Sequence, residues 1–165
     1  MKAIMAMSEN RCIGKENKIP WHVPNDFKWF KEFTMGNIII VGKKTFDTLP
    51  LLKNRECLIL LKKDPVLYEN IQNDYLVNNN GMTGKVITNE DIESYSFFKR
   101  SYLIVAGGAK TYINLLPYID EFYVTHVTGS YDGDIFMPPF EHMFSKNEVV
   151  KEFDGHKVIC YSKNI

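Results

Sequence analysis

The sequence predicts an α/β fold: a single-domain three-layer sandwich with a mostly parallel central sheet and an antiparallel C-terminal edge hairpin. Three observations lead to this prediction. Short β-branched runs such as 38–41 alternate with helical segments through the first part of the chain, as they do around parallel sheets. The last two predicted strands flank Asp154-Gly155, which is a hairpin signal. The 165 residues, 45% of them hydrophobic, suit one domain with its own core over residues 1–165.

The elements of the first part are assigned from apolar runs bounded by proline, glycine or polar residues. Residues 8–24 show little apolar periodicity and are predicted to form a loop. A helix at 25–33 follows Pro24 and ends before Gly36. The other assignments are strands at 3–7, 38–41 and 57–61 and a short helix at 43–48.

The second part is weakly patterned between residues 64 and 100, where strands at 74–77 and 85–87 and a helix at 90–99 are expected. Beyond it, an apolar strand at 102–105 runs into Gly107-Gly108. The remaining assignments are a helix at 110–116 and strands at 121–128, 148–153 and 157–162. Strands thus alternate with helices first, and the chain ends in antiparallel strands.

Charge and cysteine content argue against several classes of protein. Twenty basic and twenty acidic residues cancel, and no dense basic block indicates a nucleic-acid binder. Cys12, Cys57 and Cys160 are odd in number and widely spaced, unlike a disulfide framework or a zinc site. No apolar run is long enough for a signal sequence or a membrane span. We therefore expect a cytoplasmic monomer without nucleic-acid or membrane partners.

One carboxylate shares a helical face with large aromatic side chains. On the predicted helix, Asp26 lies on the i, i+3, i+4, i+7 stripe with Trp29, Phe30 and Phe33. Burying an unpaired acid is costly, so such a group either binds a proton or finds hydrogen-bond donors, and both change its pKa. Asp26 is therefore a candidate for proton transfer. The alternative is an acid in the first helical turn that is stabilised by the helix dipole.

Two sets of residues after predicted strands have the chemistry of a nucleotide site. Gly107-Gly108 would let the backbone approach a diphosphate, although a tight strand-to-helix turn is the alternative and the Gly-x-Gly-x-x-Gly fingerprint is absent. Lys43-Lys44 and Lys62-Lys63 also follow strands, where open α/β sheets bind ligands. Two lysine pairs favour the extra phosphate of NADP over NAD, and solvated lysines are the alternative for each pair.

Two further positions carry polar groups beside apolar segments. Arg55 follows the apolar stretch 49–52 and has the fork geometry that clamps a carboxylate, while a surface arginine is the commoner case. Strand alternation places Thr125 and His126 on opposite faces, so that one of them faces the core or a ligand. No spacing of His, Asp and Glu supports a metal site, and no Ser–His–Asp pattern supports acyl transfer.

Together these residues resemble the dihydrofolate reductase family. The block 19–31, with Pro20-Trp21 and Asp26, is the most specific part of the match, whereas 64–100 shows little resemblance. The matching blocks follow the family's order and spacing along the chain: 4–6, 13–14, 19–31, Thr34, 42–46, Arg55, 107–109, Tyr112 and 123–126. The resemblance implies a dihydrofolate reductase-like fold.

The resemblance also implies an activity, the NADPH-dependent reduction of 7,8-dihydrofolate to 5,6,7,8-tetrahydrofolate. Asp26 would bind the pterin ring and promote its protonation, Thr125 would bridge to Asp26, and Trp21 would hold an ordered water. Arg55 would pair with the glutamate carboxylate of folate. The remaining substrate contacts would come from Ile4, Ala6, Phe27, Phe30, Leu49, Leu52, Ala106 and Tyr112.

The family's cofactor site carries over in the same way. Residues 13–19 would form a mobile loop over the nicotinamide, 107–111 would hold the diphosphate, and the Gly107-Gly108 peptide would be cis. The lysine pairs and Thr45 would hold the adenosine phosphates. The full set of expected cofactor contacts is Ala6, Ile13, Gly14, Asn17, Lys18, Ile19, Gly42, Lys43, Lys44, Thr45, Leu61, Lys62, Lys63, Gly107, Gly108, Ala109, Lys110 and Thr111. No metal is expected.

Two other functions are compatible with such a sheet. A related NADPH-dependent pyrimidine or pteridine reductase, such as one of the riboflavin pathway, would share the glycine turn but should lack Trp21, Asp26 and Arg55. A catalytically silent nucleotide-binding module should have lost Asp26 or the loop 13–19. All of these residues are present, which favours dihydrofolate reduction.

Overall fold

In the computed structural model, which describes residues 1–61 and 74–164, strands and helices alternate in the first part of the chain. The elements in chain order are β1 (Lys2–Ser8), β2 (Cys12–Gly14), α1 (Pro24–Thr34), β3 (Ile38–Gly42), α2 (Lys43–Thr48), β4 (Glu56–Leu60), β5 (Tyr75–Val77), β6 (Thr83–Ile87), α3 (Asn89–Ser94), α4 (Phe97–Ser101), β7 (Leu103–Val105), α5 (Ala109–Leu115), β8 (Glu121–Val127), β9 (Ile135–Phe136), β10 (Lys146–Phe153) and β11 (His156–Ser162). Short 3-10 turns form at Leu116–Tyr118 and Glu141–Met143.

The main sheet runs in the order β10-β11-β8-β1-β7-β3-β4-β6-β5 across the described residues. Each neighbouring pair from β8 to β6 is parallel. Strand β11 lies antiparallel to both β8 and β10, so the parallel sheet with an antiparallel C-terminal hairpin is confirmed. Strand β5 lies antiparallel to β6 and forms a second antiparallel edge, which the sequence analysis did not assign.

Hydrophobic cores cover both faces of this sheet and produce the three layers. Successive residues of β3 point to opposite sides. Ile39 and Val41 pack in the cluster that contains Phe46 of α2, whereas Ile40 packs in the cluster that contains Leu115 of α5. Burial on both faces explains why this strand is a continuous apolar run rather than an alternating one.

Most predicted elements are confirmed to within two residues, but two segments differ. The predicted loop 8–24 contains β2, which pairs antiparallel with the two-residue strand β9. The helix predicted over 90–99 is wrong, because the chain forms two short helices there. The Ser96 hydroxyl accepts a 3.2 Å hydrogen bond from the Lys99 N–H and so caps a new helix, α4.

Candidate active site

The carboxyl ends of β1, β7 and β3 lie side by side, and several predicted site residues lie at or near the region in front of them, here termed the crevice. The three strands are neighbours in the sheet. Ala6 of β1 lies opposite Thr125 of β8. Ala106 follows β7, and its N–H donates to the carbonyl of Ile40 in β3 over 2.9 Å. Residues far apart in sequence therefore meet where open α/β sheets bind ligands.

A hydrogen bond joins helix α1 to strand β8 in this crevice. The helix begins after Val23 with Pro24 in its first turn, and Asp26 is the acidic residue of that turn. The hydroxyl of the fully buried Thr125 donates to Oδ1 of Asp26 over 2.7 Å. Asp26 is therefore both a first-turn acid and a partly buried carboxylate, and its role in proton transfer stays a prediction.

Burial raises the pKa of Asp26 above its ordinary value, because the carboxylate loses solvent that would stabilise its charge. The hydrogen bond from Thr125 and the positive charge of His156 act in the opposite direction on that pKa, since both favour the anion. The result is a carboxyl group that accepts a proton more readily than an exposed aspartate. Such a group in a crevice is suited to proton transfer.

The aromatic stripe of α1 is only partly buried. The rings of Trp29 and Phe33 lie 5.2 Å apart, and Phe33 lies 4.7 Å from Tyr123 of β8. All three aromatic side chains of the stripe, Phe30 included, are only partly buried. Phe27, a predicted substrate contact, is 49% exposed. The helix therefore leaves aromatic surface uncovered next to Asp26.

Trp21 closes one side of the crevice. It is 7% exposed and packs in a small cluster with Val23 and Val127, against which Ala6 also packs. Its ring meets Tyr131 edge-on at 5.2 Å between centroids. Trp21 is thus fixed next to the end of β1.

Tyr112 of α5 connects that helix to β1. Its hydroxyl donates to the carbonyl of Ile4 over 2.6 Å, and both groups are buried. Burial raises the pKa of Tyr112 far above its ordinary value, and the negative charge of Asp26 adds to the increase. Tyr112 therefore remains a neutral donor, and the predicted substrate contacts Ile4 and Tyr112 lie together.

Arg55 lies beyond Leu49 and Leu52, which are partly buried against the core on the α2 face. Its Nε donates to the Lys53 carbonyl over 3.0 Å, and a terminal nitrogen donates to Thr34 Oγ1 over 3.4 Å. No carboxylate within residues 1–61 and 74–164 forms an ion pair with it. Desolvation lowers the pKa of Arg55 from its ordinary value. The guanidinium retains donors for a ligand carboxylate.

Glycines form a surface without side chains between β3 and β7. The Gly42 N–H donates to the Gly107 carbonyl over 2.9 Å, and the Gly107-Gly108 peptide is cis, as the resemblance implied. A Cβ at Gly42 would lie 2.7 Å from Thr111 Oγ1, and a Cβ at Gly108 would lie 3.3 Å from Thr45 Oγ1. Because Gly42 and Gly108 have no side chains, the hydroxyls of Thr111 and Thr45 lie close to the backbone at these two glycines.

The predicted phosphate ligands lie around this glycine surface. Lys43 and Lys44 begin α2, and Lys43 Nζ donates to Asp47 Oδ1 over 2.6 Å while Lys44 is exposed. Ala109 and the exposed Lys110 begin α5. Leu61 is buried, at 4% exposure. The predicted contacts Lys62 and Lys63 lie outside the described residues.

Residues 15–19 form a loop that leads out of β2. Lys15 and Lys18 exchange backbone hydrogen bonds of 2.8 and 2.9 Å, and Asn17 in the turn between them has a φ of 61°. Ile19, at the end of the loop, is 44% exposed. The predicted contacts Ile13 and Gly14 belong to β2 itself rather than to a loop.

The segment after β8 holds this loop in place. The Glu16 N–H donates to Asp134 Oδ2 over 3.0 Å, and Lys15 Nζ donates to Asp132 Oδ2 over 2.7 Å. Sequence analysis missed both aspartates. They lie in a polar loop sequence, Tyr131-Asp132-Gly133-Asp134. No local pattern in that sequence indicates which segment the loop contacts.

The described residues contain neither a metal site nor a membrane-spanning helix. No group of three or more His, Cys, Asp or Glu side chains there is arranged to hold a metal ion. No helix in the described part of the chain has the length and apolar character needed to cross a membrane.

The chain resembles proteins of one family along nearly all of its length. The family model for dihydrofolate reductase matches residues 1–161. The dihydrofolate reductase of Bacillus subtilis (strain 168) is 33% identical over 139 residues, which are 84% of this chain and 75% of that protein. The dihydrofolate reductase of Mycoplasma genitalium is 31% identical over 163 residues, which are 98% of this chain and 96% of that protein.

A solved structure shares the fold as well. Dihydrofolate reductase from Enterococcus faecalis, complexed with NADP(H) and RAB-propyl, aligns with a TM-score of 0.75 at 27% sequence identity. The alignment covers 99% of this chain and 96% of that chain. The likeness therefore extends to the whole arrangement of strands and helices that surrounds the crevice.

Proposed function

The chain belongs to the dihydrofolate reductase family, and on that premise we propose how its residues carry out the NADPH-dependent reduction of 7,8-dihydrofolate to 5,6,7,8-tetrahydrofolate. That activity follows from the family. The assignment of roles to residues depends chiefly on one observation, the 2.7 Å hydrogen bond from Thr125 to the partly buried carboxylate of Asp26.

Asp26 organises the proton that the reaction needs. Reduction of the pterin C=N bond places a proton on the ring nitrogen and a hydride on the neighbouring carbon. Oδ1 of Asp26 accepts the Thr125 hydrogen bond, so Oδ2 is the atom that faces substrate or water. Because burial raises the pKa of Asp26, the carboxyl group binds and releases a proton closer to neutral pH. Trp21, fixed beside Ala6, holds the water that relays the proton.

The substrate lies between α1 and the strand ends. Arg55 binds the glutamate carboxylate of folate through a bidentate fork, as its orientation by Thr34 and Lys53 permits. Ala106, with its small side chain, widens the wall next to the glycine surface. The apolar contacts are Ile4, Ala6, Phe27, Phe30, Leu49, Leu52 and Tyr112.

The glycine surface fits a dinucleotide, because a side chain at Gly42 or Gly108 would fill the space beside Thr111 and Thr45. NADPH, when bound, supplies the hydride. Residues 107–111 hold the diphosphate. The further contacts proposed for the cofactor are Ala6, Ile13, Gly14, Asn17, Lys18, Ile19, Gly42, Lys43, Lys44, Thr45, Leu61, Lys62 and Lys63, of which the lysines at 43, 44, 62 and 63 attract the adenosine phosphates.

The loop 13–19 covers the nicotinamide and excludes bulk water during the reaction. Its closed position is held by the hydrogen bond between Glu16 and Asp134 and by the ion pair between Lys15 and Asp132. Both contacts are exposed, so the loop is able to release and admit ligands at low energetic cost.

We further propose a single domain over residues 1–165 that acts as a cytoplasmic monomer without a nucleic-acid or membrane partner. The balanced charge, with twenty basic and twenty acidic residues, supports the absence of a polyanionic partner. The family match over residues 1–161 supports a single domain. Sedimentation analysis of the purified protein would test the monomer.

The direct test of the function is the consumption of NADPH by the purified protein in the presence of dihydrofolate. We expect turnover with NADPH, slower turnover with NADH, and NADPH binding without comparable turnover in Asp26→Asn. Binding of NADPH by the unmodified protein without any turnover would instead indicate a silent nucleotide-binding module. Turnover only with a pyrimidine or another pteridine would indicate the related reductase.

A further inference from the structure

The hairpin turn between β10 and β11 contacts both elements that carry the Asp26–Thr125 pair. Asp154 and Gly155 form the turn with φ values of +53° and +79°, the left-handed conformations of a tight hairpin. The flanking residues Phe153 and His156 pair across the two strands. The turn is therefore fixed at the end of the antiparallel hairpin.

One contact of this turn reaches the first turn of α1. The Asn25 side-chain amide donates to Oδ2 of Asp154 over 2.7 Å. Asn25 immediately precedes Asp26, so this bond restrains the backbone that carries the catalytic carboxylate. Phe33 packs on Tyr123 of β8 near the far end of the helix, and the Asp154 bond adds an anchor at its first turn. A charged acceptor also makes this hydrogen bond stronger than a neutral one.

The other contacts reach the end of β8. The Thr128 N–H donates to Nδ1 of His156 over 3.0 Å, and the Thr128 hydroxyl donates to the Gly155 carbonyl over 3.3 Å. Thr128 directly follows β8 and lies three residues after Thr125. Because Nδ1 accepts the backbone N–H, the imidazole carries its proton on Nε2 in the neutral form.

We propose that residues 154–156 act as a clasp that positions the Asp26 carboxylate against the Thr125 hydroxyl. The two partners are 99 residues apart in sequence and belong to different elements, and the clasp is bonded to both elements. A hydrogen bond of 2.7 Å is lost if either element shifts by about 1 Å. The inference rests on the proposed role of Asp26.

The electrostatics agree with this arrangement. When His156 is protonated, its charge lowers the pKa of Asp26 against the effect of burial, so the two side chains lie within electrostatic reach of each other. Besides His156, the groups that act on or respond to this carboxylate are the Thr125 and Tyr112 hydroxyls. Loosening the clasp therefore weakens the Thr125 hydrogen bond, which favours the Asp26 anion.

Four variants separate the clasp from general destabilisation. Asp154→Gly removes the acceptor but keeps a residue that adopts positive φ, and Asn25→Ala removes the donor. Asp154→Asn retains an acceptor oxygen at the same position. Glu152→Gln is the matched control, because it neutralises an exposed carboxylate two residues away on β10. Each is measured for the rate of NADPH oxidation with dihydrofolate across pH, for the KM of NADPH and for thermal stability.

We expect Asp154→Gly and Asn25→Ala to slow turnover by about tenfold, since small displacements of a catalytic group reduce rate strongly. The apparent pKa of the pH–rate profile should move upward, because the Thr125 hydrogen bond that favours the Asp26 anion is weakened. The double variant should be no slower than either single one. Asp154→Asn should retain most activity, and Glu152→Gln should match the unmodified protein, while the KM of NADPH stays constant in all of them.

An unchanged pH–rate profile in both Asp154→Gly and Asn25→Ala would overturn the clasp, as would an equal change in Glu152→Gln. Asp26→Asn distinguishes this failure from that of the proposed function. If Asp26→Asn keeps the rate and pH profile of the unmodified protein, the role of Asp26 is wrong. If Asp26→Asn lowers the rate and alters the pH profile while the clasp variants leave the profile unchanged, only the clasp is wrong.

Discussion

The Thr125 hydroxyl donates a 2.7 Å hydrogen bond to Oδ1 of Asp26 across 99 residues of sequence. This bond favours the charged carboxylate, whereas burial favours the neutral acid, and burial prevails because the pKa of Asp26 is raised overall. Protonation of the carboxyl group therefore depends on the balance between burial, which favours the neutral acid, and the Thr125 hydrogen bond, which favours the anion. Changes at either residue should have separate consequences for turnover, for its pH dependence and for stability.

Asp26→Asn should lower turnover by about 100-fold or more at neutral pH, because the substrate loses its positioned proton source. The defect should shrink at acidic pH, where solvent protonates the pterin directly. Initial rates of NADPH consumption with dihydrofolate, measured across pH, test both statements. NADPH binding, followed by fluorescence, serves as the control for an intact cofactor site. A defect of constant size at every pH would argue against a proton role.

Thr125→Val should shift the pH–rate profile toward higher pH. The substitution removes the hydrogen bond that favours the Asp26 anion, so the pKa of Asp26 rises further above its ordinary value. Turnover should fall several-fold because the carboxylate is also less well positioned. Thr83→Val is a suitable control, since Thr83 is exposed on β6. Identical profiles for the two variants would show that the hydroxyl does not tune Asp26.

Asp26→Asn should also stabilise the unliganded protein at neutral pH. The folded-state pKa of Asp26 is raised above the unfolded value, so its contribution to stability is present below the unfolded pKa and is lost as pH rises through the folded pKa. An amide has no charge to desolvate and avoids this loss. Thermal melting should show the variant about 2–4 °C higher at neutral pH and the difference reduced in acid. A variant that melts lower at neutral pH would contradict the sign.

The sequence predicted those elements whose residue types produce a recognisable local pattern. The β-branched residues at 38–41 predicted the strand there, and the flanking proline and glycine predicted the helix around Asp26. The pairing of Asp26 with Thr125 was predicted from the family resemblance. Helical spacing relates residues that are a few positions apart, so it cannot predict a partner on β8.

What the sequence did not indicate depends on tertiary pairing. Strands β2 and β9 have three and two residues and exist because they pair with each other, so neither has a periodic pattern of its own. The contacts of Asp134 with Glu16 and of Asp154 with Asn25 likewise join loops that no local rule connects. The helix predicted over 90–99 lies in a weakly patterned segment, where nothing in the sequence indicated that Ser96 would cap a second helix.

Lys44→Gln should weaken NADPH binding more than Lys43→Gln. The Asp47 carboxylate lies 2.6 Å from Lys43 Nζ and offsets its charge, whereas Lys44 is exposed. We expect the KM of NADPH to rise about tenfold in Lys44→Gln and less in Lys43→Gln, with both effects reduced by salt. Asp47→Asn should lower the KM of NADPH for the same reason.

The KM of NADH distinguishes a phosphate contact from general damage, because NADH lacks the 2′-phosphate. It should stay constant in all three variants, and Lys157→Gln, which alters an exposed lysine on β11, should leave both values unchanged. Equal increases for NADPH and NADH in Lys44→Gln would show that this lysine does not select the cofactor.

Gly133→Ala should disturb the loop 13–19. A Cβ at Gly133 would contact Cys12 Sγ and would lie 2.6 Å from the Gly14 carbonyl oxygen, to which the Asp134 N–H donates over 3.1 Å. The carbonyl belongs to the backbone of β2 and moves only if that strand moves. We expect a lower melting temperature, by about 3–9 °C for an overpacking cost of 1–3 kcal/mol, and slower turnover.

Adding Cys12→Ala to the Gly133→Ala variant distinguishes the effects of the two contacts that the new methyl group makes, with Cys12 Sγ and with the Gly14 carbonyl. It removes the sulfur but leaves the Gly14 carbonyl in place, so it should restore stability and turnover only in part. Full restoration would show that the side-chain contact alone caused the defect and that β2 had not moved. Partial restoration, with turnover still slow at temperatures far below melting, would locate the remaining defect in the loop that β2 supports. A loop held away from its closed position admits water during the reaction and so slows turnover without lowering stability.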